Sequence, residues 1–321
     1  MRNINIYRKK VEESFKNYVS NYDLTDVKVK LKVDHTFRVA ALCDLIADEL
    51  GLKGYDKDLA WLLGMLHDIG RFEQLRRFHT FRDALSVNHA ELSADILFRD
   101  GLIGNFLERI SEDTHESGQD DFQLIEKAIR LHNVYQLPDD LTEREYRFAT
   151  ILRDADKIDI LRVNVETPRK EIYSVAEEVF LKSPVTDAVY EKILQCQNLH
   201  RNWMKTPADL LLGHISFVFG LVYPVSVRLM KEQGYLEKVL QFPSQNEETK
   251  QRFAEMRKVV HGYMEERIRR EGVCFFILFL KKRFVSYLPR LATSSSISAF
   301  QSSVRSASIL RMQHMASPTT L

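Results

Sequence analysis

Apolar side chains recur every three or four residues along most of the 321-residue chain, the spacing of helices that bury one face. From His35 the series Val39, Leu42, Ile46 and Leu50 keeps this spacing and stops at Gly51, a residue suited to a helix C-terminus. Asp56 is placed to cap the next helix, in which Leu59, Trp61, Leu62, Leu63, Met65 and Leu66 are apolar on nearly every side. A helix without a polar stripe belongs at the centre of a domain, and Gly70 is expected to end it just beyond His67 and Asp68. Further helices are predicted over 85–97, 122–133 and 142–163, with Gly101, Gly104, Gly118 and Pro138 between them. After Pro168 the pattern continues over 171–180, 186–204, 207–230 and 249–270. No stretch alternates apolar and polar side chains as hairpin strands would, so the predicted class is all-α, a helical bundle with additional C-terminal helices.

The predicted organisation is an N-terminal helical segment at 1–30, a core at 31–165, a C-terminal helical extension packed on that core at 166–272, and a tail at 273–321. In the tail, Val273–Leu280 is an apolar run followed by Lys281-Lys282-Arg283 and a serine-rich stretch. The run is shorter than the roughly 20 residues of a membrane-spanning helix. From about Leu291 the composition predicts disorder.

Composition narrows the partners. Hydrophobic residues make up 45% of the chain, enough for a substantial core, and 46 lysines and arginines stand against 45 acidic residues. There is thus no global field to attract nucleic acid or a membrane, and an anionic ligand must be held by local charges. The N-terminus lacks the apolar run of a signal peptide, so cytoplasmic residence is expected. Cys43, Cys196 and Cys274 stand singly, which argues against a disulfide framework or a zinc knuckle.

The chemistry concentrates at Gly64-Met65-Leu66-His67-Asp68-Ile69-Gly70, where two metal-ligand types sit side by side at the polar end of a buried helix. His89 lies on a predicted helix between Leu85 and Leu92, and His132 follows the core-facing stripe of Ile125, Ala128 and Ile129. A lone histidine on an apolar face is ordinarily a packed residue with its nitrogens satisfied. Several of them beside a His-Asp pair point instead to a metal.

With His35, the pair His67-Asp68 in His-Asp-Ile-Gly, and Ala155-Asp156-Lys157-Ile158-Asp159, the chain resembles the HD superfamily of metal-dependent phosphohydrolases over about Leu31 to Arg162. That resemblance implies a helical bundle in which His35, His67, Asp68 and Asp156 hold one metal. His89 and His132 resemble the extra histidines of dinuclear members, so Asp68 would bridge to a second ion held by that pair. Asp156 is preferred to Asp154 because the family carboxylate follows a small residue and precedes a basic or apolar one. Nitrogen and carboxylate ligands without thiolate fit two divalent ions of Mn, Fe, Ni, Co or Zn better than calcium.

Such a pair of ions would acidify a shared water for attack on phosphorus, with no protein nucleophile required. Around it, Asp68, Arg71, Glu73 and Lys157 are the candidate catalytic residues. Arg71 and Lys157 would reach phosphate oxygens, and Glu73 would orient a histidine or accept a leaving-group proton unless it pairs with Arg76 or Arg77. The segment Arg76–Asp83 is basic and aromatic and could wall a pocket for a base or sugar. His79 is the alternative to His89 as a ligand, with the helix register after Asn88 favouring His89, and His115, His200, His214 and His261 are assigned no catalytic role. Asn133 stands where the cyclic-dinucleotide-cleaving branch has a second histidine, and no Gly-Tyr-Pro follows, which disfavours that substrate. The resulting expectation is hydrolysis of a phosphoester of a small metabolite, a nucleotide or related compound. A di-iron oxygenase of the same fold and a non-catalytic ligand-sensing module are the alternatives.

Overall fold

The computed structural model describes residues 4–109 and 121–285, with side chains over 4–108 and 121–270. Thirteen of the fourteen α-helices begin and end before Arg270: α1 (Arg8–Val19), α2 (Val27–Glu49), α3 (Tyr55–Leu66), α4 (Ile69–Phe78), α5 (His89–Ala94), α6 (Asp121–Arg130), α7 (Glu143–Glu166), α8 (Arg169–Tyr173), α9 (Glu177–Leu181), α10 (Asp187–Leu194), α11 (Pro207–Ile215), α12 (Pro224–Gln233) and α13 (Tyr235–Leu240), with α14 (Glu247–Val285) last. The class is all-α. The one sheet among the described residues is a two-residue antiparallel pair, β1 (Ile4–Asn5) with β2 (Glu108–Arg109). The chain divides into two units, Met1–Arg269 and Arg270–Leu321; backbone of the second is helical as far as Val285. The stretch from about Leu291, expected to be disordered, and His115 lie outside the described residues.

The first unit is organised around α7, which packs against α2, α3, α6, α11, α12 and α13. Its start is fixed by a capping box: the Thr142 hydroxyl accepts from Glu145 N–H, and the Glu145 carboxylate accepts from Thr142 N–H. Helix α2 begins at Val27, earlier than the apolar series suggests, because Asp26 accepts the Lys28 N–H at 2.7 Å. Helix α3 is buried from Leu59 to Leu66 as its composition predicts, and Gly64 lets it lie directly against α2. A Cβ at Gly64 would come within 2.5 Å of Ala40 Cα.

Several boundaries differ from the periodicity. Asp56 lies inside the first turn of α3 and the cap position is Gly54, whose φ of 53° suits glycine. Gly70 does not end the helix. The break falls at His67-Asp68, and Gly70 sits in the first turn of α4, where a Cβ would meet Ser93 N at 2.6 Å. The helix predicted over 85–97 is cut short, with a 3₁₀ turn at Asp83–Leu85, α5 from His89, and a π-turn at Asp95–Arg99. Leu85 is 62% exposed and is no core residue. Helix α6 stops at Arg130, so His132 stands just past its end. Pro224 cannot continue a helix interior, and the span 207–230 divides into α11 and α12.

Candidate metal centre

The junction between α3 and α4 creates the site. His67 is the C-cap position of α3 and Asp68 the N-cap position of α4, so the two side chains leave the backbone at a bend. A straight helix would splay adjacent residues by about 100°. Helix α2 brings His35, α7 brings Asp156, α5 brings His89, and the turn after α6 brings His132. All six side chains meet in the interior: His35, His67, Asp68, His89 and His132 are buried, and the side chain of Asp156 is 14% exposed.

Asp68 divides the cluster between its two oxygens. Oδ2 is 3.6 Å from both His35 Nε2 and His67 Nε2, while Asp156 Oδ1 lies 3.1 Å and 3.8 Å from the same two nitrogens. Oδ1 is 3.7 Å from His89 Nε2 and 3.9 Å from His132 Nε2, and those nitrogens are 3.0 Å apart. Neighbouring ligand atoms around an ion bound at about 2.1 Å stand roughly 3.0–3.4 Å apart, so modest inward movement closes each group on a cation. The groups His35–His67–Asp156 and His67–Asp68–His132 each bring ligand atoms within 4.8 Å of one another.

Hydrogen bonding fixes which nitrogen faces inward. Nδ1 of His67 is 2.8 Å from Gly64 O and Nδ1 of His132 is 2.7 Å from Ile129 O, so each ring donates to the carbonyl three residues earlier. Nδ1 of His35 is 2.6 Å from Asp159 Oδ2, and Nδ1 of His89 is 2.6 Å from Asp83 Oδ2. With every Nδ1 facing an acceptor, each neutral ring carries its proton there and turns the Nε2 lone pair to the centre. His35 Nε2, His67 Nε2 and Asp68 Oδ1 are buried without a hydrogen-bond partner. Such atoms are costly to bury unless a cation compensates them, and the donor set fits a divalent transition metal.

The electrostatics agree. Burial pushes the imidazoles of His132 and His89 down to about 4, with His67 adding to the effect at His132 and Arg71 at His89. Burial likewise lowers His67. At His35, Asp156 and Asp159 outweigh burial and the nearby Lys32, and the ring is raised. Burial alone would raise Asp68, but Lys32, His67 and Arg71 hold its carboxyl well below the usual range.

Two cations flank Asp68. Lys32 Nζ is 2.7 Å from Oδ2, Arg71 Nε is 3.4 Å from Oδ1, and the Phe81 ring lies 5.5 Å and 5.8 Å from their respective charges. Arg71 is held by Gln74 Oε1, Phe81 O and Asp83 Oδ1, and its Nη2 stands 3.2 Å from His89 Nε2. The side chains of Lys32, Arg71 and Asp156 are each 14% exposed, the most accessible of the groups at the centre.

Two candidates fall elsewhere. Glu73 is buried, but its partners are Arg76 at 2.5 Å, Arg77 and the Tyr22 hydroxyl, on a different face of α4 from Asp68. Five residues after Asp68, it lies about 140° around the helix, and no contact connects it with a histidine. Lys157 donates to Gly220 O at 2.7 Å, and burial pushes its ammonium down to about 8. Asp154, the other acidic residue of the late motif, accepts the N–H groups of Val222 and Tyr223 at 3.0 Å and does not reach the histidines. Conversely, Lys32, Asp83 and Asp159 support the centre without having been assigned a role from the sequence. Lys32 and Asp159 each stand three residues from a ligand on its own helix, a visible spacing; Asp83 acts from an irregular turn and leaves no periodic trace.

A family model for the HD domain matches residues 33–161, a span that contains His35, His67, Asp68, His89, His132 and Asp156. No curated protein and no solved structure matches the chain. The helical architecture, the ordered His, His-Asp and Asp positions and the family match agree in identifying an HD domain at residues 33–161.

Proposed function

We propose that the protein is a metal-dependent phosphohydrolase acting on a phosphoester of a small metabolite, a nucleotide or a related compound. The observation that carries this reading is the convergence of buried ligand atoms without hydrogen-bond partners at His35, His67 and Asp68, each histidine held through its opposite nitrogen. In this reading His35, His67, Asp156 and Asp68 would hold one divalent cation, and His89, His132 and Asp68 would hold a second. Bound there, the cations supply an acidified water and charge stabilisation at a phosphoryl oxygen.

The remaining tasks fall to the side chains beside Asp68. Arg71, anchored through Nη1, offers a planar edge to phosphate oxygens. Lys32 offers a second positive charge from the opposite side of Asp68. Phe81, between these cations, supplies an apolar surface for the body of the substrate. Glu73 and Lys157 take structural roles, fastening α4 and α7.

Incubation of the purified protein with Mn²⁺, Ni²⁺ or Fe²⁺ and a panel of nucleotides and generic phosphodiesters tests this directly. Phosphoester cleavage lost in both His67→Ala and Asp68→Ala is expected. Turnover that survives both substitutions would remove the proposed site, and oxygen uptake coupled to substrate cleavage would replace hydrolysis with oxidative chemistry.

A further inference from the structure

Helix α7 carries a second buried cation that does not face the metal centre. Arg153 is 7% exposed and spends its Nη1 on the carbonyls of Leu131 at 2.8 Å and His132 at 3.2 Å, and one Nη2 hydrogen on Tyr135 O at 3.3 Å. These contacts cap the C-terminal end of α6 and account for three of the five N–H groups of a guanidinium. Among the described residues, Arg153 forms no ion pair, and Nε has no acceptor. The neighbouring Asp154 is committed to the amides of Val222 and Tyr223. Burial outweighs the attraction of Asp154 and pulls Arg153 below its ordinary value.

A cavity of about 370 Å³ opens at this residue, walled by Leu137 and Pro138 of the loop after α6, Tyr146 and Thr150 of α7, and Val222. Tyr146, Thr150 and Arg153 share one face of α7 at spacings of four and three residues. The edge of a guanidinium formed by Nε and Nη2 is the edge that receives a carboxylate or phosphate side-on. Asp139, exposed and also lining the cavity, opposes a ligand with several negative charges.

We propose that this cavity is a second small-molecule site, separate from the metal centre, for a ligand with one carboxylate or phosphate-type head on Arg153 and a flat apolar body against Leu137, Pro138 and Tyr146. Its position gives it a route to the centre, since the same guanidinium holds the backbone carbonyl of His132.

Ligand-observed NMR titration of the full chain with benzoate and with phenylphosphonate tests the site. At least one probe is expected to bind wild type and His67→Ala equally, and to bind at least tenfold more weakly to Arg153→Gln and Leu137→Trp. Arg153→Gln also loses the cap on α6; Leu137→Trp fills the cavity while leaving that cap in place, and its fold is checked by circular dichroism. The preferred probe distinguishes a carboxylate from a phosphate-type ligand. Absence of binding by both probes, loss of binding in His67→Ala, or unchanged affinity in a folded Leu137→Trp would overturn the proposal.

Discussion

Four imidazoles are aimed by two kinds of support. His67 and His132 lean on carbonyls of their own segments, whereas His35 and His89 lean on carboxylates contributed by α7 and by the turn before α5. A carboxylate behind a ligating histidine makes the ring a stronger donor, and loss of such support typically costs 10–100-fold in metal affinity. Asp159→Asn is therefore expected to weaken the first ion by about that factor, and Asp83→Asn the second. Competitive chelator titrations that follow each ion separately check this; an unchanged affinity in both variants would show that the carboxylates only pack. The His67-Asp68 pair was legible because its members are adjacent and end an apolar helix. Asp159 stands at a visible spacing from Asp156, but its pairing with His35 was not legible, because 124 residues separate the two and only the tertiary fold joins them. For Glu73 the sequence left two readings open, a role at the site or a pair with Arg76 or Arg77, and the turn of α4 sends it to Arg76, Arg77 and Tyr22.

The site depends on helices approaching closely enough for short side chains to meet. Gly64 on α3 lies against Ala40 on α2, where a methyl group would meet backbone rather than a flexible side chain. Gly64→Ala is expected to separate the helices that carry His35 and His67, destabilising the fold by about 1–3 kcal/mol. A urea midpoint equal to that of wild type would contradict that packing account. Periodicity identified these helices because their buried faces run for many turns. It misjudged α4 and α5, where glycine serves contact with a neighbour instead of termination, and where a 3₁₀ turn and a π-turn break the register around His89. Such irregular segments hold Asp83 and His89 in place through Gln74, Asn88 and Asn133, contacts that carry no repeat in the sequence.

Across the whole molecule, the C-terminal helices of the first unit are fastened to the helix that bears Asp156. Asp154 receives the amides before α12, and Lys157 reaches Gly220 O. The periodic pattern predicted helices here, but it could not show that two charged residues beside Asp156 would be used to attach them. Farther along α7, Asn164 joins Tyr173 of α8 and His214 of α11, with His214 Nδ1 2.7 Å from the Tyr173 hydroxyl and 3.0 Å from Asn164 Oδ1. Burial pushes His214 down to about 4, from an ordinary value of 6.5. The unfolded chain thus takes up a proton on this residue before the folded chain does. Stability should be unaffected by His214 above pH 7.5, fall as pH drops from about 6.5 toward 4, and level off below that, by about 3 kcal/mol in all. His214→Gln should flatten that part of the profile; a wild-type stability that does not change between pH 7 and pH 5 would contradict the assignment.

In the proposed centre Asp68 would join two metal positions, one completed by His35, His67 and Asp156 and the other by His89 and His132. The ratio of bound Mn²⁺ to protein after equilibrium dialysis, measured for wild type, His132→Ala and His35→Ala, tests it most directly. Two ions per wild-type chain and one ion in each variant are predicted. A single ion in wild type that is retained in His132→Ala and lost in His35→Ala would contradict the dinuclear centre.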